Sequence, residues 1–104
     1  MDFQEILKTV EYIDGSVYYG EVKDNNIRHG KGKFSFGNGL YYEGEFNNDL
    51  YHGVGTLLMD NLLIFKGEFI NGKKSGRGTL ISTDKMFKYE GQWKNNMKNG
   101  LGEQ

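Results

Sequence analysis

Glu21, Glu43, Glu45, Glu68 and Glu90 are the residues whose type and spacing could do chemistry. Two carboxyls facing each other across a cleft can share acid and base duties in bond hydrolysis. His29 and His52 could add a proton shuttle or a metal ligand, since imidazole titrates near neutral pH and binds metals through its neutral form. Each histidine stands just before a Gly-x-Gly pair, and such pairs can cradle phosphate where a helix and a Lys-Ser/Thr follow. None of these starting points gathers the rest of a site. No helix start or lysine-serine follows any Gly-x-Gly. The serines (Ser16, Ser35, Ser75 and Ser82) have no histidine and acid at a matching place. The chain is read as having no catalytic, metal or cofactor site. Its glutamates are read as a solvated face paired with Lys31, Lys33 and Lys66.

The elements that carry these residues are legible from composition. The chain has 104 residues with 16 glycines, no proline and 14% aromatic residues. Glycine costs about 1 kcal/mol at each helical position, so this mixture disfavours helices and suits short strands with tight turns. Thirteen basic and 14 acidic residues leave a net charge of −1, which offers no field for nucleic acid. There is no cysteine, hence neither a disulfide framework nor a thiolate. The first residues lack the basic and apolar regions of a signal peptide. The longest apolar run, Leu62 to Phe65, is far too short to span a bilayer. The expectation is a soluble, cytoplasmic protein.

A repeat organises everything else. Tyr18-Tyr19-Gly20-Glu21 recurs as Tyr42-Glu43-Gly44-Glu45, Phe65-Lys66-Gly67-Glu68 and Tyr89-Glu90-Gly91-Gln92. Gly30/Gly32, Gly53/Gly55, Gly76/Gly78 and Gly100/Gly102 keep pace with it. A shared period over four copies marks a repeat array. Alternation within each copy marks strands: Tyr42, Gly44 and Phe46 share one face, Glu43 and Glu45 the other. A two-residue turn at Asn38-Gly39 would set Phe34 against the wrong face, so a three-residue loop over 37–39 is expected. It pairs Phe34 with Tyr42, Gly32 with Gly44, Gly30 with Phe46, Lys33 with Glu43 and Lys31 with Glu45. The next unit repeats this with Leu57–Phe65, Gly55–Gly67 and Gly53–Phe69. The fourth needs a four-residue loop, Thr83 to Met86, to set Leu80 against Tyr89. Glycines, lacking Cβ, give the aromatic rings room over the sheet. Asn48-Asp49, Asn71-Gly72 and Asn95-Asn96 make the return turns, where φ is positive. The first return, Lys23 to His29, has one residue more.

These residues resemble the MORN repeat, whose pattern runs Tyr-Glu-Gly-Glu-Trp and then Asn-Gly-Lys-x-His-Gly-x-Gly. Phe46 to Gly55 and Phe69 to Gly78 follow it almost position for position. The resemblance implies an all-β fold: a single-layer, twisted antiparallel sheet of tandem hairpins with an aromatic-lined groove. It implies one domain over 1–104, with a capping strand at about 5–13, repeats at about 15–29, 30–52, 53–75 and 76–99, and a partial unit at 100–104. In the cap, Val10 and Lys8 stand where Gly-x-Gly would be. The chain ends just inside a fifth unit, as an excerpt of a longer array or as an edge strand.

The function implied is a non-catalytic scaffold that binds a protein partner, a peptide or a helix, within a cytoskeletal, ciliary or membrane-apposed assembly. The groove residues would be Tyr18, Tyr42, Phe65 and Tyr89 with Phe46, Phe69 and Trp93, flanked by Phe34, Leu57 and Leu80. Val22 completes the row. A sheet with no second layer should leave part of this row accessible, and exposed aromatic patches mark contact sites. A second patch, Val54, Leu58, Leu62 and Ile64, lies on the face that should be charged, with Leu50 and Tyr51 near it. Other readings are a regulatory array of an enzyme, such as a phosphatidylinositol-phosphate kinase or a SET-domain methyltransferase, and a phospholipid-binding module using Lys31, Lys33, Lys73, Lys74 and Arg77. No cofactor, nucleic acid or small-molecule substrate is expected.

Overall fold

A computed structural model of the chain describes residues 6–58 and 62–103, with the last strand described as backbone only. Glu5 and Gln104, which the expected cap and partial unit include, lie outside the described residues. Alternation and turn chemistry give strands and no helix: β1 (Ile6–Glu11), β2 (Val17–Lys23), β3 (Ile27–Gly37), β4 (Leu40–Asn47), β5 (Leu50–Leu58), β6 (Leu63–Ile70), β7 (Lys73–Ser82), β8 (Lys88–Lys94) and β9 (Met97–Glu103). They form one nine-stranded antiparallel sheet in strict chain order. Every ladder therefore joins neighbours in sequence. The molecule measures 45 × 32 × 17 Å.

The register puts the glycines in one row. Gly20 faces Gly32, which faces Gly44, and the series continues through Gly55, Gly67, Gly78 and Gly91 to Gly102. Phe34–Tyr42, Leu57–Phe65 and Leu80–Tyr89 pair as the alternation requires. The return turns hold positive φ at Asn48 (48°), Asp49 (71°), Asn71 (49°), Gly72 (85°), Asn95 (52°) and Asn96 (70°). Ser82 and Phe87 close the four-residue loop, the Ser82 N–H donating to the Phe87 carbonyl at 3.0 Å.

Two expectations change. The turn at Asn38-Gly39 is a two-residue turn after all: Gly37 pairs with Leu40, and φ is positive at Asn38 (56°) and Gly39 (79°). A bulge between Ser35 and Gly37 absorbs the odd residue and keeps Phe34 opposite Tyr42. Register also moves the cap by one place. Lys8 faces Gly20 and Val10 faces Tyr18, so the glycine pair's positions fall to Ile6 and Lys8. Val10 instead mirrors Phe34, which faces Tyr18 from the other side. The unit boundaries expected at 29/30, 52/53 and 75/76 fall inside β3, β5 and β7.

Candidate functional site

The aromatic row is a closed ladder of rings. Tyr18, Tyr42 and Phe65 are fully buried, and Phe46, Phe69, Tyr89 and Trp93 are buried with Val22. The glycine row explains how one sheet buries them. Tyr18 on β2 lies across β3 at Gly32, Tyr42 across β5 at Gly55 and Phe65 across β7 at Gly78; a Cβ at any of these glycines would fall inside the ring. Crossing a whole strand, each ring reaches an aromatic about 10 Å away, two strands on. Tyr18 meets Phe46 at 5.2 Å, Tyr42 meets Phe69 at 5.2 Å and Phe65 meets Trp93 at 5.0 Å, all edge to face. Tyr42–Phe46, Phe65–Phe69 and Tyr89–Trp93 close the alternate steps at 5.1, 5.3 and 5.5 Å. Edge-to-face pairs contribute about 0.5–1.5 kcal/mol each beyond their buried area. The ladder thus joins each hairpin to the next. The expected open groove is filled by its own anchors, and of its residues only Phe34, Leu57 and Leu80 remain half-buried at the rim.

A second set of side chains covers the ladder. Arg28, Tyr51 and Lys74 each face the last core residue of the preceding strand: Val22, Phe46 and Phe69. The Arg28 guanidinium sits 4.5 Å over Phe34 and 5.7 Å over Phe46. Tyr51 stacks on Tyr42 at 3.9 Å. The Lys74 ammonium lies 5.4 Å from Phe65 and 5.7 Å from Trp93. Burial drives the Lys74 amine below its ordinary 10.5, so this lysine is no surface cation for phospholipid. The tyrosines shift the other way. Loss of water, with the Glu21 charge adding, pushes Tyr18 up to about 12, and its hydroxyl donates to the Glu21 carbonyl at 2.7 Å. Burial raises Tyr42 likewise, its hydroxyl donating to the Glu45 carbonyl at 2.8 Å. The sequence holds little signal for this cover, because Arg, Tyr and Lys share only a long stem and a polar tip that can lie over a ring.

The glutamates have backbone work. Gly44 faces Gly55 and Phe46 faces Tyr51, so His52, Gly53 and Val54 stand against Glu45 alone. Such a bulge leaves an amide without a ladder partner, and the Glu45 carboxylate accepts the Val54 N–H at 3.1 Å. Gly53, at φ 93°, has no room for a Cβ beside that carboxylate. Glu21 accepts the Lys31 N–H at 2.6 Å in the same manner. Register places Lys31 against Glu45 and Lys33 against Glu43, yet neither makes an ion pair, which corrects the expected cross-strand pairing. Ion pairs form elsewhere, Arg28–Asp49 at 3.1 Å and Lys88–Glu90 at 3.4 Å. His29 and His52 are structural acceptors: Nδ1 of each takes the N–H of Asn48 and of Asn71 at 3.3 Å, tying one return turn to the next.

The opposite face is open. Residues from β1 to β5 enclose a hollow of about 480 Å³ above Gly20, Gly32 and Gly44. Leu7, Tyr19 and Val54 stand around it with 63%, 57% and 62% of their surface exposed. Val54 belongs to the expected second patch; that patch's other members do not line the hollow. Leu58 and Ile64 face each other, half-buried, in a strip that Tyr41 and Ile81 extend, and Leu62 is exposed at the loop. Among the described residues no cluster of histidine and carboxylate could hold a metal ion, and no helix is long and apolar enough to cross a membrane.

No curated protein matches the chain. The model of the MORN repeat matches it four times in tandem, over residues 18–41, 42–61, 65–86 and 89–104. Those segments open on Tyr18, Tyr42, Phe65 and Tyr89, the rings that cross the glycine strands. With its ladder and its repeats in the same register, the chain belongs to the MORN-repeat family.

Proposed function

We propose that the protein is a non-catalytic scaffold whose open sheet binds a protein partner. The observation that supports this reading is the hollow between Leu7, Tyr19 and Val54, where three apolar side chains stay exposed around a floor of bare backbone. Exposed apolar groups in a concave site gain by being covered, and aromatic anchors dominate such contacts. Its family setting suits a place in a cytoskeletal, ciliary or membrane-apposed assembly. A photo-crosslinking benzophenone at Tyr19 should capture a discrete protein in cells, and Tyr19→Asp with Val54→Asp should release that protein without changing the melting temperature. Capture unaffected by the pair of aspartates would sink the reading.

A second contact on the aromatic face is supported by the half-buried rim of Phe34, Leu57 and Leu80. Here a partner would cover the ladder and not enter it. Leu57→Asp would then abolish capture while the aspartates at 19 and 54 would not.

A further inference from the structure

The hollow has a charge order and a spacing that select one kind of occupant. From β2 to β5 its exposed walls read apolar, basic, acidic, apolar: Tyr19, then Lys31 and Lys33, then Glu43, then Val54, with Leu7 beyond Tyr19 on β1. None of these four positions has spent its charge or its surface. Lys31 and Glu43 make no ion pair, the Lys33 ammonium rests on the exposed side over the Tyr41 ring at 4.5 Å, and Glu45 is already held by the Val54 N–H. A partner that fits must therefore offer apolar, acidic, basic and apolar groups in a line across the strands.

The line has a fixed step. Neighbouring strands lie about 4.8 Å apart, so β2 to β5 spans about 14.4 Å in three steps. An α-helix rising about 1.5 Å per residue places i, i+3, i+7 and i+10 at about 0, 4.5, 10.5 and 15 Å along one face. An extended chain repeats a face every 6.7 Å or so and drifts out of step by the second position. We infer that the hollow docks an α-helix of a partner protein, lying across β2–β5, with the pattern apolar-x-x-acidic-x-x-x-basic-x-x-apolar. The spacing is the same read from either end, so a helix running the other way meets the same charges with base and acid exchanged. This rests on the scaffold reading and adds the chemistry of the partner.

Three fluorescein-labelled, hydrocarbon-stapled 14-residue peptides test it against the full chain by anisotropy. All carry leucine at i and i+10; the pair at i+3 and i+7 is Glu/Lys, Glu/Glu or Lys/Lys. The Glu/Lys peptide should bind about tenfold more tightly than either like-charged peptide, since each of those loses one favourable pair and gains one repulsion. A Lys31→Glu, Lys33→Glu chain, whose wall is acidic throughout, should turn the preference to Lys/Lys by a similar factor. Equal binding of the three peptides, no saturable binding of any, or an unchanged order with the variant would each overturn the helix assignment. Benzophenone capture at Tyr19 is independent of the peptides: a captured protein released by the aspartates, beside indifferent peptides, would refute the helix and leave the scaffold. No capture would refute the scaffold itself.

Discussion

The two faces of this sheet come from the same strands and the same alternation, yet one is sealed and the other is open. On the sealed face Tyr18, Tyr42 and Phe65 lie flat across glycines and meet a ring two strands away. On the open face those same glycines form the floor of a hollow walled by Tyr19, Lys31, Glu43 and Val54. One row of residues without side chains thus serves both: it admits a core on one side and leaves a recess on the other. A single layer can keep a core when its own rings bridge its strands. Substitutions on the two faces should therefore separate stability from binding.

Gly55→Ala is the strongest test. Its Cβ would enter the Tyr42 ring, which cannot retreat because Tyr51 stacks on it and Phe46 and Phe69 meet its edge. Overpacking of this kind costs about 1–3 kcal/mol or more, and the upper end is expected in a denaturant melt. A small change would mean that the ladder is not the core. Alkaline pH probes the same face next. The folded state holds Tyr18 protonated up to about 12, against 10.0 ordinarily, so the unfolded chain loses this proton first. Stability that is intact below pH 10 should fall as pH rises from 10 to about 12, by roughly 2–3 kcal/mol from this residue. Tyr18→Phe should flatten that decline.

Glu45→Ala removes the acceptor of the Val54 amide at the bulge, at the boundary of the two faces. A loss of about 1–2 kcal/mol is expected, with faster hydrogen exchange at Val54 by NMR. Glu43→Ala, on the open wall, should do neither. The smallest effect belongs to the open face itself: Val54→Ser should shift stability by less than about 0.5 kcal/mol, as exposed substitutions do. A larger loss there would erase the distinction between the faces.

Much of this fold is legible in the residues. Period-two alternation and the recurring aromatic and glycine motifs give the strands, their order and the pairing of Phe34 with Tyr42. The site is less so. Alternation says which residues share a face but not that a ring will span a strand to reach its fellow, so Tyr42 and Phe69 read as a lining when they are a core. Glu45 looks like a surface charge because its role depends on a three-against-one bulge, a feature of pairing and not of composition. The Asn38-Gly39 turn shows the same limit, since a bulge at Phe36 restores the faces that counting had ruled out.

The bridging of alternate strands has a bearing on how the protein is made. Tyr18 is covered by Phe46, Tyr42 by Phe69 and Phe65 by Trp93, each supplied some 24–28 residues downstream. As the chain leaves the ribosome, at about 5–20 residues per second, each hairpin waits a few seconds for its cover. Only the newest unit has a bare ring at any moment, so the array can be finished from the N-terminal end in order. The exposed aromatic surface that a growing sheet offers to aggregation stays at one repeat, whatever the number already folded.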